Sequence, residues 1–598
     1  MMKIYSIRVL VLTLVLISYI KCFSVTFSVG GINYSVISED EQTVSAYYIT
    51  DRTITLIPSH VVYNDVTYTV IEIGSDYGSH IIPNNSIAEL TIPNTVKTIR
   101  SWALNSGYAY SLKKLTILDG DSPLKIEANL YGNYSCGIEE LYLGREINGG
   151  ENFPLNRYLK QVTFGINVHT ISASLFSGCT GLETIELTNN IEVIEKNAFA
   201  GCTALKSLTI PASVIDIGNS AFKGCTELTS LTLADGEQVL TIDNTGNRSY
   251  SEDQDAFCNC PVDQLYVGRS VSLKGDGVYS PFPKVTGITM GPNVKEIPKY
   301  MFTGCNILTS VQFGDGLENI GEEAFLDCSQ LPEADIKKCT TINAQAFKGC
   351  SSLASLKLPE GLENIEASAF YECAKLKALV IPASVTEIGS QAFAGCTGLK
   401  SVKLADGDDR LTVDNLSFRI FEGCKPDYFY LGRTISSSEK TNIITNVGTL
   451  EIGNQVKSIY PRMFQGCDNM EELTIGGKVS SIGEYAFSGS TYLATVYCNG
   501  KTPPVCKSTT FYGCPTDARL YVPKSSKATY ASTDYWKDFG SIVETNEDGI
   551  GETPSVLVGD VDGDGVVDIA DAVRIVNLVV GKIDALAPKM EGVLSEPQ

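Results

Sequence analysis

The sequence predicts a mainly β solenoid of stacked repeats, and three observations support this fold class. A Phe-x-Gly-Cys motif recurs along most of the chain, and neighbouring copies are commonly 23 residues apart. Each copy is followed by a short apolar pattern typical of a β-strand. A period of this length is the mark of repeat architectures, in which a unit buries its apolar faces only against its neighbours.

The composition excludes several classes of function. The 598 residues are 43% hydrophobic and 19% charged, which is enough apolar material for a large core. Because the net charge is −23, the chain repels phosphate backbones, and we expect no nucleic acid partner. Three histidines leave little material for His-based zinc sites or for nucleophile–histidine catalysis.

The first predicted element is an export signal over residues 1–24. Lys3 and Arg8 precede an apolar run over residues 9–20, which is shorter than a comfortable membrane span. Lipidation at Cys22 is the alternative, but the residues before it do not match those that usually precede the lipidated cysteine of a lipoprotein. No transmembrane span is expected after signal removal, so we expect an exported protein, secreted or at the cell surface, over a periplasmic or lipid-anchored form.

The next element, residues 25–85, is predicted to be a β-rich N-terminal cap. Apolar and polar residues alternate over residues 61–70, as in a strand with one face buried. Terminal units of a solenoid are atypical because one of their faces has no neighbouring repeat.

Residues 86–515 are predicted to form the solenoid itself. In one unit, Leu205, Leu208 and Ile210 form the inward face of a short strand, which Pro211 ends. Later apolar residues of the unit, including Phe222, line the opposite wall of the same core. The Phe-x-Gly-Cys copies and their variants occupy residues 176–179, 199–202, 222–225, 257–260, 302–305, 325–328, 347–350, 370–373, 393–396, 421–424, 464–467 and 511–514.

The cysteines follow the repeat rather than a disulfide pattern. Of eighteen cysteines, thirteen occupy one register per repeat, and Ser490 takes the same place in one unit. A position that accepts Cys or Ser favours a small, weakly polar side chain inside a turn, so we expect buried free thiols. Cys498 and Cys506 are out of register, and the sequence leaves open whether they form a disulfide.

The repeats, such as those at residues 205–225 and 376–396, resemble the BspA-like leucine-rich repeat family of bacterial surface proteins. The resemblance covers about two thirds of the chain. It implies a right-handed solenoid with a parallel sheet on one face, and an adhesion-type role.

A Tyr-x-Gly-Arg pattern recurs three times, each time after an Asp-Gly turn. Strand alternation points the tyrosines outward, where they could stack against a protein or glycan ligand beside the arginines. The alternative is that these side chains only cover their own long repeat. The candidate ligand-binding residues are Tyr142, Tyr266, Tyr430, Arg145, Arg269 and Arg433.

The chain then closes in three predicted segments. Residues 516–544, which contain Trp536, resemble the closing element of the same family and predict a C-terminal cap. Residues 545–556 are polar, contain glycine and lack periodicity, so they predict a linker. Residues 557–598 are predicted to be a small loop–helix module, which we call the calcium module.

The calcium module holds the sharpest metal-binding pattern in the sequence. Acidic residues fall at positions 1, 3, 5, 9 and 12 of one loop, with glycine at position 6 and a carbonyl at position 7. Calcium (Ca2+) takes about six to eight oxygen ligands, and this spacing wraps them around one ion. The predicted ligands are Asp560, Asp562, Asp564, Val566, Asp568 and Asp571.

Loop and helix together resemble one half of a type I dockerin, the calcium module that docks onto cohesin domains. A cohesin-like partner is therefore implied. Two departures put conventional docking in doubt: no second Asp-x-Asp-x-Asp-Gly follows, and the partner-reading pair would be Ile569 and Ala570, which are apolar.

These features favour a non-catalytic binding or adhesion protein that presents an extended surface to an extracellular protein or glycan. The alternative is a non-catalytic, dockerin-bearing component of an extracellular polysaccharide-degrading assembly. An enzyme is not expected, because no carboxylate pair, phosphate-binding loop or nucleophile motif stands out.

Overall fold

The computed structural model describes residues 25–75, 81–82, 87–104, 111–127, 137–149, 157–245, 255–275, 277–408, 410–413, 419–437 and 442–545. The predicted signal peptide and the calcium module with all its predicted ligands lie outside these residues. The chain divides into two compact units: residues up to 265 with 272–277, and residues 266–271 with those from 278 onward. In the described part of the chain, no helix has the length and apolarity needed to cross a membrane.

The first unit opens with five strands in the region predicted to be the N-terminal cap. They are β1 (Thr26–Val29), β2 (Ile32–Ser38), β3 (Thr43–Ile49), β4 (His60–Tyr63) and β5 (Val66–Ile73). The pairs β1–β2, β2–β3 and β4–β5 are antiparallel, whereas β3 and β5 pair in parallel. Strand β5 also pairs in parallel with Thr98–Ile99, so the cap continues directly into the repeats.

Each repeat, or rung, contributes one longer strand to a parallel ladder. In Ser207–Ile210 the side chains alternate, with Leu208 and Ile210 buried and Ser207 and Thr209 exposed. This strand pairs in register with Ser230–Leu233, so equivalent residues 23 positions apart stack on each other. The predicted fold class, a mainly β parallel-sheet solenoid, is confirmed.

The longer strands of the first unit are Glu89–Ile92, Lys114–Ile117, Glu140–Arg145, Gln161–Asn167, Thr184–Glu186, Ser207–Ile210 and Ser230–Leu233. Those of the second unit are Gly287–Asn293, Ser310–Gln312, Glu333–Asp335, Ser355–Lys357, Ala378–Ile381, Ser401–Leu404, Tyr428–Leu431, Thr449–Ile452, Glu472–Ile475 and Thr495–Cys498. Gln264–Arg269 contains residues of both units.

The opposite wall of the core is a ladder of shorter strands. In the first unit these are Thr98–Ile99, Leu124–Ile126, Ile147–Asn148, Thr170–Ile171, Val193–Ile194, Asp216–Ile217 and Leu240–Asp243. In the second they are Glu296–Ile297, Asn319–Ile320, Thr341–Ile342, Asn364–Ile365, Glu387–Ile388, Leu411–Val413, Ile435–Ser437, Ser458–Ile459 and Ser481–Ile482. Val271–Lys274 contains residues of both units.

The Phe-x-Gly-Cys turns close each rung and stack along the solenoid. The rings of Phe347, Phe370 and Phe393 follow one another at 5.2 Å between centroids, within 3° of parallel. The third residue of these turns adopts a positive φ, which favours glycine, as in Gly349 at 75°. The variant turns place Asn259, Asp327 and Glu372 there, at φ values of 61°, 58° and 60°. The core therefore contains a column of aromatic rings in a fixed register.

The cysteines of most turns are buried beside this column and tie adjacent rungs together. The Sγ of Cys373 donates to the carbonyl of Phe347, and Cys396 does the same to Phe370, one rung earlier. The sixteen cysteines of the described residues are all free thiols. Ser490 instead donates to the carbonyl of Phe487 in its own turn, because its shorter side chain stays within the rung.

The possible disulfide between Cys498 and Cys506 is not formed in the structure, where both are free thiols. Cys498 is the last inward residue of its strand and pairs in register with Ile475, so it occupies a core position. The hydroxyl oxygen of Tyr530 lies 3.1 Å from its sulfur, within hydrogen-bonding distance. The thiol is thus held by a hydrogen bond rather than a covalent one.

The second unit ends in strand Arg519–Val522, helix α1 (Lys527–Ser532) and strand Ser541–Glu544. Trp536 is fully buried, and its indole N–H donates to the carbonyl of Pro504 at 2.9 Å. The Tyr530 hydroxyl donates to the carbonyl of Gly500 at 2.7 Å. These two aromatic side chains cover the apolar end of the last rungs.

Candidate ligand-binding surface

Tyr142 and Tyr430 occupy the same position in two equivalent three-rung arrangements. The Tyr142 hydroxyl lies 3.1 and 3.0 Å from the two carboxylate oxygens of Asp119. The Tyr430 hydroxyl lies 2.8 and 3.0 Å from those of Asp406. Partial burial, followed by the Asp119 hydrogen bond, raises the pKa of Tyr142. Tyr266 has the same place in its strand, and all three rings are half-buried at the surface.

The arginines of the pattern point into the core instead. Arg145, Arg269 and Arg433 are at most 1% exposed. The Nη atoms of Arg145 donate to the carbonyls of Asn94 and Pro93 at 3.0 and 3.1 Å, two rungs earlier. Burial lowers the pKa of Arg145 to about 10. Arg433 makes the equivalent bonds to Ala383 and Pro382.

The structure therefore corrects the candidate ligand surface at Arg145, Arg269 and Arg433. A guanidinium enclosed by the core does not meet a ligand at the surface, because its hydrogen-bonding groups face inward. Arg145 and Arg433 instead join rungs through these hydrogen bonds, which neither interpretation of the pattern predicted. The tyrosines remain at the surface, so their role in ligand binding stays a prediction.

The glycines of the two motifs make room for this arrangement. A Cβ on Gly407 would lie 3.3 Å from the Cδ of Arg433, whose side chain passes over the Asp-Gly turn. A Cβ on Gly432 would lie 2.5 Å from the backbone nitrogen of Asp406. The Asp-Gly turn and the Tyr-x-Gly-Arg strand are therefore parts of one structural arrangement.

Most outward positions of the longer strands are small or polar, as the alternation predicts. In the second unit they include Ser310, Gln312, Ser355 and Lys357. Such a surface offers hydrogen bonds but little apolar contact area.

The last strands of the second unit differ from this pattern. Here tyrosines and glutamates occupy six of the ten outward positions, beside threonines and one arginine. Tyr430 pairs in register with Glu451, and Tyr497 with Tyr521. We call this set the Tyr–Glu face. It consists of Tyr428, Tyr430, Glu451, Glu472, Tyr497 and Tyr521.

Contacts within the Tyr–Glu face fix its side chains. The Tyr428 hydroxyl donates to Glu451 at 2.6 Å, and the rings of Tyr497 and Tyr521 stack at 5.0 Å between centroids. Partial burial, then the charge of Glu451, raises the pKa of Glu472. With strands about 4.8 Å apart, the Tyr–Glu face extends over roughly 20 Å of sheet.

Only part of this face was identified from the sequence. Tyr430 was singled out because its motif recurs, whereas Tyr497 and Tyr521 belong to no repeated motif. The available signal was strand alternation over residues 495–498 and 519–522, where each tyrosine stands between two inward apolar residues. Within the described residues, no group of three His, Cys, Asp or Glu side chains could hold a metal ion.

Solved structures of similar fold come from several bacteria. A leucine rich cell surface protein of Faecalibacterium prausnitzii is 22% identical, with 64% of this chain and 95% of that one covered and a TM-score of 0.23. A leucine-rich repeat protein of Bacteroides ovatus is 20% identical, with 71% and 94% covered and a TM-score of 0.28. The pneumococcal vaccine antigen PcpA is 18% identical, with 87% and 99% covered and a TM-score of 0.22. No curated protein matches the chain.

The repeats themselves match one family over most of the chain. The matching family is the BspA type leucine rich repeat region, and the matched segments are residues 149–247, 251–377, 334–442 and 442–533. They cover more than half of the 598 residues and include the phenylalanine column, the thiols and the Tyr–Glu face. This chain therefore belongs to the family of BspA type leucine rich repeat proteins.

Proposed function

We propose that this protein is an exported, non-catalytic binding protein whose solenoid presents an extended surface to a protein or glycan ligand. The observation that carries the proposal is the Tyr–Glu face. Tyrosines occupy four outward positions on the last strands of the second unit, beside Glu451 and Glu472. The five longer strands before them, from Ser310–Gln312 to Ser401–Leu404, carry no aromatic residue at an outward position. Aromatic side chains supply large contact areas at binding surfaces, and the carboxylates supply hydrogen-bond acceptors.

The test compares two double variants in a solid-phase binding assay against matrix proteins, mucin and bacterial surfaces. Tyr497→Ser with Tyr521→Ser removes the stacked pair of the Tyr–Glu face. Gln312→Ala with Lys357→Ala is the matched control at outward positions of earlier strands in the same unit. We expect at least a tenfold loss of binding for the first variant and none for the control. Binding that survives the tyrosine variant, or is absent from the natural protein, would contradict the proposal.

We further propose that the calcium module binds one Ca2+ through Asp560, Asp562, Asp564, Asp568, Asp571 and the carbonyl of Val566. The support is the spacing of these residues in the sequence. Calorimetric titration is expected to give one ion per full-length chain and none for a chain ending at residue 544. Asp562→Asn with Asp564→Asn in the full-length chain should abolish binding as well; retained binding would move the site elsewhere.

The same module tests the alternative function in an extracellular polysaccharide-degrading assembly. Capture of a cohesin-bearing protein in the presence of calcium, lost with chelator, would favour that alternative. Capture by the chain ending at residue 544 would exclude the calcium module as the connector.

A further inference from the structure

A groove in the second unit interrupts one edge of its longer strands. The residue just before each strand lies at this edge, and in three consecutive rungs these residues are Asp427, Gly448 and Glu471. Because Gly448 has no side chain, a gap opens between the two acidic side chains. The resulting cavity is about 470 Å³, within the range of about 300–1,000 Å³ that is usual for ligand pockets.

The gap is imposed by the backbone of the neighbouring rung. A Cβ on Gly448 would lie 2.9 Å from the carbonyl oxygen of Asp427, closer than side-chain carbons approach. The amide of Glu471 donates to the Gly448 carbonyl at 2.9 Å, which holds the glycine between its neighbours. The opening is thus a built feature of the ladder.

Amide side chains line the same groove. Asn446 and Asn469 occupy equivalent positions in successive rungs, and the Nδ2 of Asn469 donates to the Oδ1 of Asn446 at 3.1 Å. This bond engages one N–H of Asn469 and the oxygen of Asn446. The remaining hydrogen-bonding capacity of the two side chains includes the Oδ1 of Asn469, an acceptor, and the Nδ2 of Asn446, a donor. Such a pair suits neighbouring hydroxyl groups of a ligand.

An exposed aromatic ring occupies the position equivalent to Asn446 and Asn469 in the next rung. Tyr492 follows Asn469 by 23 residues, lines the groove and is 67% exposed. A tyrosine presented in this way combines an apolar ring face with a polar tip. The ring face suits the C–H face of a sugar, and the adjacent amides suit its hydroxyls.

The charges of the groove balance, although the chain is strongly acidic. Two lysines, Lys400 and Lys425, and two acids, Asp427 and Glu471, line it. Lys400 and Asp427 form an ion pair at 3.4 Å. A lining with no net charge favours a neutral, hydroxyl-rich ligand over an ion.

We infer that this groove binds a neutral saccharide, with one sugar ring against Tyr492 and its hydroxyls hydrogen-bonded to Asn446, Asn469 and Asp427. The inference rests on the proposed function, because it names the ligand class at one site of a non-catalytic binding protein. The site is separate from the Tyr–Glu face, since it is built from residues that precede the strands.

The test measures binding of cellobiose, maltose, lactose and mannobiose to the full-length protein by calorimetry and saturation-transfer NMR. Tyr492→Ala and Asn446→Ala should each lower the association constant of the bound disaccharide at least tenfold. Tyr512→Ala is the matched control, because Tyr512 is 68% exposed in the same unit and does not line the groove. Its affinity should equal that of the natural protein.

Each other outcome points to a different failure. Equal losses for Tyr492→Ala and Tyr512→Ala, at unchanged melting temperature, would overturn the groove assignment. No binding of any of the four disaccharides would also overturn it, yet the proposed function would stand if macromolecular ligands still bound. Disaccharide binding lost on changing Tyr497 and Tyr521 would place the sugar on the Tyr–Glu face instead.

Discussion

Arg433 places a guanidinium group in the core of the second unit. Desolvation disfavours its charge there, and its Nη atoms offset this by donating to the carbonyls of Pro382 and Ala383. Arg145 has the same arrangement in the first unit. The side chain is thus a link between rungs, and its contribution is to stability.

Arg433→Met tests this role at a single residue. Methionine keeps the apolar stem but leaves the carbonyls without their donor, so we expect the free energy of unfolding to fall by about 2 kcal/mol. Arg519→Met is the control, because Arg519 is exposed in the same unit. Urea denaturation measures both; equal stability of the two variants would show that the buried bonds contribute nothing.

Gly432→Ala tests the close approach of two backbones. The added methyl would lie 2.5 Å from the Asp406 nitrogen, so the strands must separate, and we expect a loss of about 2 kcal/mol or more. A Cβ on Gly361 meets no atom within 4 Å, so Gly361→Ala should change stability by about 0.5 kcal/mol at most. Thermal and urea unfolding of the two variants test this explanation. Comparable losses of stability in both would rule out the steric clash at Gly432.

At the scale of an element, the Phe-x-Gly-Cys turn was predictable because its signal repeats. Phenylalanine, glycine and cysteine recur in one register, so stacking of identical turns follows from the period alone. The structural role of the buried arginines was harder to predict. Alternation through Leu141 and Leu143 does place Arg145 on the inward side, but its carbonyl partners lie 51 and 52 residues earlier in the sequence. No local pattern reveals such a pairing.

The thiol column gives a prediction for the turns as elements. Burial raises the pKa of Cys179 and of Cys467 to about 12, so the neutral thiol is favoured in the folded state. Their contribution to stability is complete below about pH 9, the pKa of an unfolded cysteine, and declines as pH rises toward 12. We expect the free energy of unfolding to decrease across this interval.

Alkylation with iodoacetamide at pH 8, read by mass spectrometry, checks the same burial directly. The buried cysteines of the turns should stay unmodified in the folded protein and react fully in urea. Rapid labelling of Cys373 or Cys396 in the folded state would show that the turns open. Cys506, which is only half-buried, is the internal reference.

On the scale of the whole molecule, a solenoid must protect its ends. Trp536 and Tyr530 cover the last rungs of the second unit, and strand Arg519–Val522 pairs with Thr495–Cys498. Without them, a parallel sheet edge and an apolar core face would meet solvent. An open edge of this kind is a template for association with other chains.

A chain ending at residue 515 should therefore aggregate and unfold at a lower temperature than one ending at residue 545. The longer chain is the matched control, because it keeps the closing strands and lacks only the residues that follow them. Size-exclusion chromatography with light scattering measures the association. A monomeric, equally stable short chain would show that the closing residues are dispensable.

The reach of the buried arginines determines where such a solenoid can be lengthened or shortened. Arg433 contacts residues 50 and 51 positions earlier, so the stretch from Pro382 to Arg433 has a fixed length. Gain or loss of one rung inside it would separate the guanidinium from its carbonyls. A gene duplication must therefore copy this stretch whole, with its breakpoints outside it. The same holds for a transplant of the Tyr–Glu face into another solenoid.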